Sequence, residues 1–389
     1  MYEGKIVFAQ LMEHLPLHTL RRCIERFGGD RSVKGFSCQD QFRCMAFAQL
    51  TYRDSLRDTV TCLNAQGSKL YHMGLRGAVR RSTLADANEL RDWRLYQAFA
   101  AALIVQARRL YANEPLGVDL DSAAYALDTT TIDLCLSLFP WAPFQATKAA
   151  LKLHTMMDLR GNIPLLVHID DGKSYDTDIL DVLTPEPGAV YIMDRGYLDF
   201  ARLHRLTEAG AFFIVRTRRN LSWRRLASRP VDRASGLLCD QIVRLAWRNS
   251  ARKYPDRLRR IRYTDPQTGK TLAFLTNNFT LPARAVADLY RRRWQIELFF
   301  KWVKQHLRIK SFFGFSQNAV KTQIWIAVAV YVLIAIVKKR LALSASLYTI
   351  LQLLSVTIFE KIQLNQLLLQ AQPTNQQHVL DKQLNLFDD

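Results

Sequence analysis

Negative charge is what this sequence lacks. Asp and Glu number 35 against 54 Lys and Arg, a formal charge of +19 over 389 residues. A field of that sign gathers polyanions, which argues against a neutral metabolite as the sole partner. Paired cysteines are missing too. Cys23, Cys38, Cys44, Cys62, Cys135 and Cys239 make no Cys-x-x-Cys, and their irregular gaps suit neither a disulfide framework nor a zinc site. They read as reduced core thiols, hence a cytoplasmic chain. Residues 1–15 hold Glu3 and Glu13 and no long apolar run, so no signal peptide is expected. Residues 324–337 are an apolar run of 14, short of the roughly 20 that span a bilayer. A fully buried helix is expected there, with no membrane partner. No internal repeat is present.

What is there is core-forming and Arg-rich. Hydrophobic residues make up 49% and aromatics 11%, enough for a large core and too many for a disordered basic tail. Length suggests about two or three domains. Arg outnumbers Lys 38 to 16, which fits phosphate contact through paired guanidinium hydrogen bonds. Residues 1–112 read as helical, with a helix start at Ser82-Thr83, and the polar Pro- and Gly-containing residues 113–121 as a boundary. Strands are expected at 125–138, 152–159 and 163–169, the last two joined by a turn at Arg160-Gly161-Asn162. Residues 190–193, stopped by Asp194 and Gly196, look like a buried central strand. A helix at 200–209 and a strand at 211–215 complete an α/β layer pattern. Residues 216–262 hold 15 basic and three acidic residues (Asp232, Asp240, Asp256), a net +12. Strand-like pieces at 241–247 and 271–276 accompany this block. After Pro282 one long helix runs past His306, and the last 20 residues form a loose polar tail.

On that helix Tyr290, Arg293, Glu297 and Lys304 fall within about 60° of one another at about 100° per residue. Taken alone, such a stripe is also what a solvated face presents, with an Arg293–Glu297 pair worth about a few tenths of a kcal/mol. Here Trp294, Ile296, Phe299 and Phe300 surround it, so the helix is packed and the stripe faces a site. Asp194 ends a buried strand, where α/β folds place reactive groups. Asp128 lies within a run of strand formers, and a buried carboxylate there needs a partner or a cation. Asp121, Asp133, Asp170 and Asp171 compete, but loop or edge positions account for them. Asp128, Asp194 and Glu297 together make an all-oxygen set suited to Mg²⁺ rather than zinc. Two such ions activate an attacking oxygen and stabilise a leaving one in phosphoryl transfer.

The run from Tyr290 through Arg293 and Glu297 to Lys304 resembles the Y-R-E-K signature of the bacterial insertion-sequence-four family of DDE transposases. Leu127-Asp128-Thr129-Thr130 and Met193-Asp194-Arg195-Gly196-Tyr197 are similar to that family's first and second Asp motifs. The resemblance extends over nearly the whole chain, including residues 81–88, which resemble part of a helical domain preceding the catalytic one. It implies a ribonuclease-H-like α/β core interrupted by a mainly β insertion. In domain terms it implies a helical DNA-binding domain at 1–112, a catalytic domain at 113–345 with the basic insertion at about 217–278, and a C-terminal helix and tail at 346–389. It further implies that Asp128, Asp194 and Glu297 bind two Mg²⁺ or Mn²⁺ ions, that water nicks the element's end, and that a hairpin forms, reopens and joins target DNA. Tyr290, Arg293 and Lys304 would then hold phosphates.

Arg195, Arg218, Arg219, Arg224 and Arg225, interleaved with Trp223 and Trp247, are candidates for tracking and stacking on double-stranded DNA. Either Trp is a candidate to receive an unstacked base, and either is equally a structural Trp. By analogy the protein works as a homodimer on DNA, at the nucleoid. Gln383, Leu384, Leu386 and Phe387 resemble the peptide by which bacterial DNA enzymes bind the replicative sliding clamp. Two other readings stay open: a catalytically silent DNA-binding regulator, and a ribonuclease-H-like nuclease.

Overall fold

The computed structural model describes residues 4–120, 122–217, 221–307 and 312–369, with the side chains of His306 and Leu307 excepted. Asp121, Arg218, Arg219 and the tail candidates Gln383, Leu384, Leu386 and Phe387 lie outside the described residues. The chain divides into two compact units. One comprises Met1–Ala112, Ile132–Leu151 and Phe300–Asp389, the other Asn113–Thr131 and Lys152–Phe299.

The first unit is built on the helix Gln317–Arg340. Ser316 caps it by accepting from Ala319 N–H, and Lys338, Lys339 and Arg340 complement its C-terminal dipole. Its most apolar window is 94% buried within the chain, so the run of 14 is a core helix as expected. Arg94–Tyr111 packs along it, and Tyr111 OH donates to Ala335 O at 2.9 Å. Cys38–Leu50 starts with a full capping box between Ser37 and Asp40. The helix expected from Ser82-Thr83 begins instead at Arg81, with no side-chain cap. All six cysteines are free; Cys38 and Cys44 are core, whereas Cys135 is exposed, which corrects the reading of every thiol as buried.

The strands are β1 (Ala124–Leu134), β2 (Pro143–Gln145), β3 (Lys148–Asp158), β4 (Ile163–Asp171), β5 (Val190–Met193), β6 (Phe212–Arg216), β7 (Trp223–Arg229), β8 (Leu237–Leu245), β9 (Leu258–Thr264) and β10 (Thr271–Thr276). β2 pairs with the first residues of β3 inside the first unit. The strand expected over 125–138 stops at Leu134, because Leu138 and Phe139 N–H turn back onto Cys135 O.

In the second unit the order is β3-β1-β5-β6-β10-β9-β8-β7, with β4 on β3, in a mixed α/β layer. β1, β5 and β6 run parallel; from β6 outward every pairing is antiparallel. β5 is buried along its whole length, as its unbroken apolar run requires. One cluster joins Tyr125, Tyr191, Met193 and Phe213 to Val243, Leu245 and Tyr254. The basic strands therefore share the core of the parallel ones.

Gly236 sets the turn into β8. Its φ is +86°, and a Cβ there would meet Thr264 O at 2.5 Å. Gly236→Ala is expected to lower unfolding stability by about 1–3 kcal/mol, read from urea denaturation; an unchanged midpoint would contradict the close approach.

Candidate active site

Two carboxylates are set by strand register. Ala124 through Leu127 of β1 align with Val190 through Met193 of β5 in parallel. Asp128 and Asp194 each follow the last paired residue of their strand, so they stand side by side at the carboxyl end of the paired stretch, where open α/β sheets place their ligands. Asp194 is extended (φ −80°, ψ 174°) and opens the short turn Arg195–Tyr197. Asp128 Oδ1 accepts from Thr129 N–H at 2.9 Å. Thr129 is itself anchored, its Oγ1 lying 2.8 Å from His154 Nδ1 and 2.7 Å from Tyr197 OH.

The third carboxylate comes from the segment after Pro282. That segment is two helices, Ala283–Arg292 and Trp294–Leu307, and not the single one expected. At the junction Arg293 N–H bonds Tyr290 O and Ile296 N–H bonds Arg293 O, i→i−3 contacts that tighten the turn. The polar stripe survives this break for three of its four members. Arg293 Nη1 donates to Asp128 Oδ2 at 2.5 Å and Nη2 to Glu297 Oε1 at 2.6 Å. Tyr290 OH donates to Asp194 Oδ1 at 2.9 Å, its ring packed 4.6 Å from Phe274. Lys304, farther along, belongs to the helical unit; burial pulls its ammonium below the usual lysine range while Asp133 opposes.

Burial pushes the carboxyl groups of Asp128 and Glu297 upward, against the pull of Arg293, and the neighbouring carboxylates add to the push. Burial disfavours charge on Arg293, but Asp128, Tyr290, Glu297 and Asp194 together outweigh it and raise its pKa. The phenol of Tyr290 is raised, chiefly by burial. An oxygen-only donor set of this kind suits Mg²⁺ or Mn²⁺. Yet among the described residues no three His, Cys, Asp or Glu side chains stand at ligand spacing. The guanidinium of Arg293 lies between two of the acids.

Sequence reasoning missed several partners. Arg216, at the end of β6, puts Nη1 3.8 Å from Asp194 Oδ1; its place in the parallel trio was the available signal. Thr129 and Tyr197 lie within the two Asp motifs, but no local pattern announces that they meet His154 to support Asp128. Of the DNA candidates, Arg195, Arg224, Arg225 and Trp247 are exposed, Trp247 at 62%. Trp223 is half-buried, with the Arg260 guanidinium 4.5 Å from its ring centroid. Arg259, one of the 15 basic residues of the block, is buried on Asp240, so those two opposite charges cancel inside the protein.

The transposase DDE domain family matches residues 120–333, and a family described as a domain of unknown function matches residues 3–76. A putative transposase, y4zB, of Sinorhizobium fredii is 33% identical over 72% of this chain and 77% of its own length. A probable transposase for insertion sequence element IS5377 of Geobacillus stearothermophilus is 30% identical over 54% of this chain and 55% of its own. A solved piggyBac transposase synaptic complex with hairpin DNA is 11% identical, covering 99% of this chain and 85% of that one, with a TM-score of 0.44.

Proposed function

The chain belongs to the transposase DDE domain family, and on that premise we propose that it is the transposase of an insertion sequence. It binds the element's terminal inverted repeats and carries out cut-and-paste cleavage and strand transfer. The carrying observation is that Asp128, Asp194 and Glu297, far apart in sequence, are gathered around Arg293 and Tyr290 inside the stretch that the family matches. Enzymes of this family depend on a divalent metal, generally Mg²⁺ or Mn²⁺. Two ions on these carboxylates would supply Lewis-acid stabilisation of the attacking and leaving oxygens. Tyr290 and Arg216 orient Asp194, the Thr129–His154–Tyr197 cluster orients Asp128, and Arg293 and Lys304 hold phosphates.

The finer reading is the Y-R-E-K branch, with a ribonuclease-H-like core and a hairpin intermediate. Its support is the signature residues and the strand order β4-β3-β1-β5-β6 with a parallel inner trio. Residues 1–112 serve as the DNA-binding domain, 113–345 as the catalytic domain with its β insertion, and 346–389 as the C-terminal helix and tail. A homodimer brings two ends together, and residues 383–387 dock on the sliding clamp; deleting 383–389 is expected to abolish clamp pull-down.

The decisive experiment incubates the full chain and Mg²⁺ with DNA ending in the terminal repeat, beside scrambled DNA. Nicking confined to the repeat's end is expected. Cutting both DNAs alike would instead mark a nuclease, and binding without cutting a silent regulator.

Arg224 and Arg225 are exposed on the edge strand β7, open to phosphates. Replacing both by Ala is expected to flatten the plot of log affinity against log salt by about 2, one per lost phosphate contact. An unchanged slope by mobility shift would remove β7 from the DNA path.

A further inference from the structure

One cation stands where the carboxylates converge. Arg293 bridges Asp128 and Glu297 with two hydrogen bonds, its side chain only 11% exposed. The remaining acid, Asp194, is engaged separately, by Tyr290 OH at 2.9 Å and by Arg216 at 3.8 Å. Each carboxylate therefore has a cation or donor beside it already. A divalent ion entering between Asp128 and Glu297 would meet the guanidinium at contact range, and repulsion there is strong in a part-buried site.

The guanidinium is held there by charge and not by a complete set of hydrogen bonds. Its Nε is buried and has no acceptor among the described residues, so one of its donors is left unmet. A phosphate, which accepts two parallel N–H bonds from an arginine, offers it a better-satisfied position.

We propose that Arg293 is a placeholder cation: it fills the acidic site in the free protein and moves to a DNA phosphate when substrate arrives, so that metal loading and DNA binding promote each other. This rests on the reading that the three carboxylates bind metal and that DNA is the substrate. Coupling of this kind is reciprocal: the factor by which DNA tightens metal is the factor by which metal tightens DNA. It keeps the site closed to metal until a phosphate backbone is beside it.

The test measures Mn²⁺ binding to the purified full chain by electron paramagnetic resonance, with and without a short terminal-repeat duplex blocked against cleavage. The duplex is expected to tighten Mn²⁺ binding by wild type on the order of tenfold, the usual scale of such coupling. Arg293→Gln is expected to bind Mn²⁺ alone as tightly as wild type does with duplex, and to gain little from DNA. Arg293→Lys, which keeps the charge but lacks the planar two-nitrogen fork that reaches both carboxylates at once, is expected to fall between them. The proposal is overturned if Arg293→Gln binds Mn²⁺ no tighter than wild type, or, should that variant not fold, if Arg293→Lys does not. Asp128→Asn separates the two layers. If it binds Mn²⁺ as wild type does, the metal reading itself fails and this inference with it; if it loses Mn²⁺ while the Arg293 variants gain nothing, only the placeholder fails.

Discussion

Asp128→Asn, Asp194→Asn and Glu297→Gln are each expected to slow nicking at the terminal-repeat end by about a thousandfold or more, on the order of 4 kcal/mol of transition-state stabilisation, while DNA binding measured without divalent metal stays within a few-fold of wild type. The amides are nearly isosteric, so what is lost is charge. An uncharged amide oxygen is a weak ligand for a hard divalent cation. Without metal, DNA affinity has no reason to fall, because removing a negative charge beside a phosphate backbone eases repulsion. Denaturing gels give the nick and mobility shifts give the binding on the same preparations. Thermal melts are needed beside them, since Asp128→Asn and Glu297→Gln leave Arg293 one anion short. A folded Asp194→Asn that nicks within tenfold of wild type would remove it from the chemistry.

The second large effect lies in the antiparallel part of the sheet, between β8 and β9. Arg259 and Asp240 form a bidentate ion pair at 2.8 and 2.7 Å, exposed by only 2% and 5%. Arg259 also donates to the carbonyls of Asn278 and Leu281, at 3.3 and 2.5 Å, just before the helix that carries Tyr290. Asp240→Ala is expected to cost about 3–5 kcal/mol, because it strands a buried guanidinium. Asp240→Leu combined with Arg259→Met is expected to recover most of that loss, since neither charge then needs burying. Urea unfolding of the three proteins decides it, and a double variant as unstable as the single would mean that the carbonyl contacts, not the pair, dominate.

The parts legible in sequence were those with a local physical penalty. A carboxylate within a run of strand formers is costly unless partnered, which singled out Asp128; Asp194 stood at the end of a buried strand, and Glu297 in a polar stripe on an otherwise apolar helix. The parallel strands β5 and β6 announced themselves by unbroken apolar runs. β7 and β9 did not: β7 is an edge strand exposed on both faces, so its arginines leave no alternation to read. The helix break at Arg293 was invisible because no Pro or Gly marks it. The Asp240–Arg259 pair and the contact from Arg216 to Asp194 depend on strands meeting across the sheet, which spacing along the chain does not encode. The charge excess was read correctly as a feature of one block, but a sum of charges does not tell an arginine on the surface from one sealed inside.

The chain leaves the parallel layer at Arg216 and comes back at β10, which lies directly beside β6, with Phe274 opposite Arg216. Departure and return thus share one doorway. Changes confined to the exposed outer strand β7 leave the core beneath the acids in place, whereas a single-residue slip in β1 would turn Asp128 to the opposite face. Variation among relatives is therefore expected to pool on the outer face of the excursion, at β7, and to spare Val243, Leu245, Tyr254 and the Asp240–Arg259 pair, which the core requires.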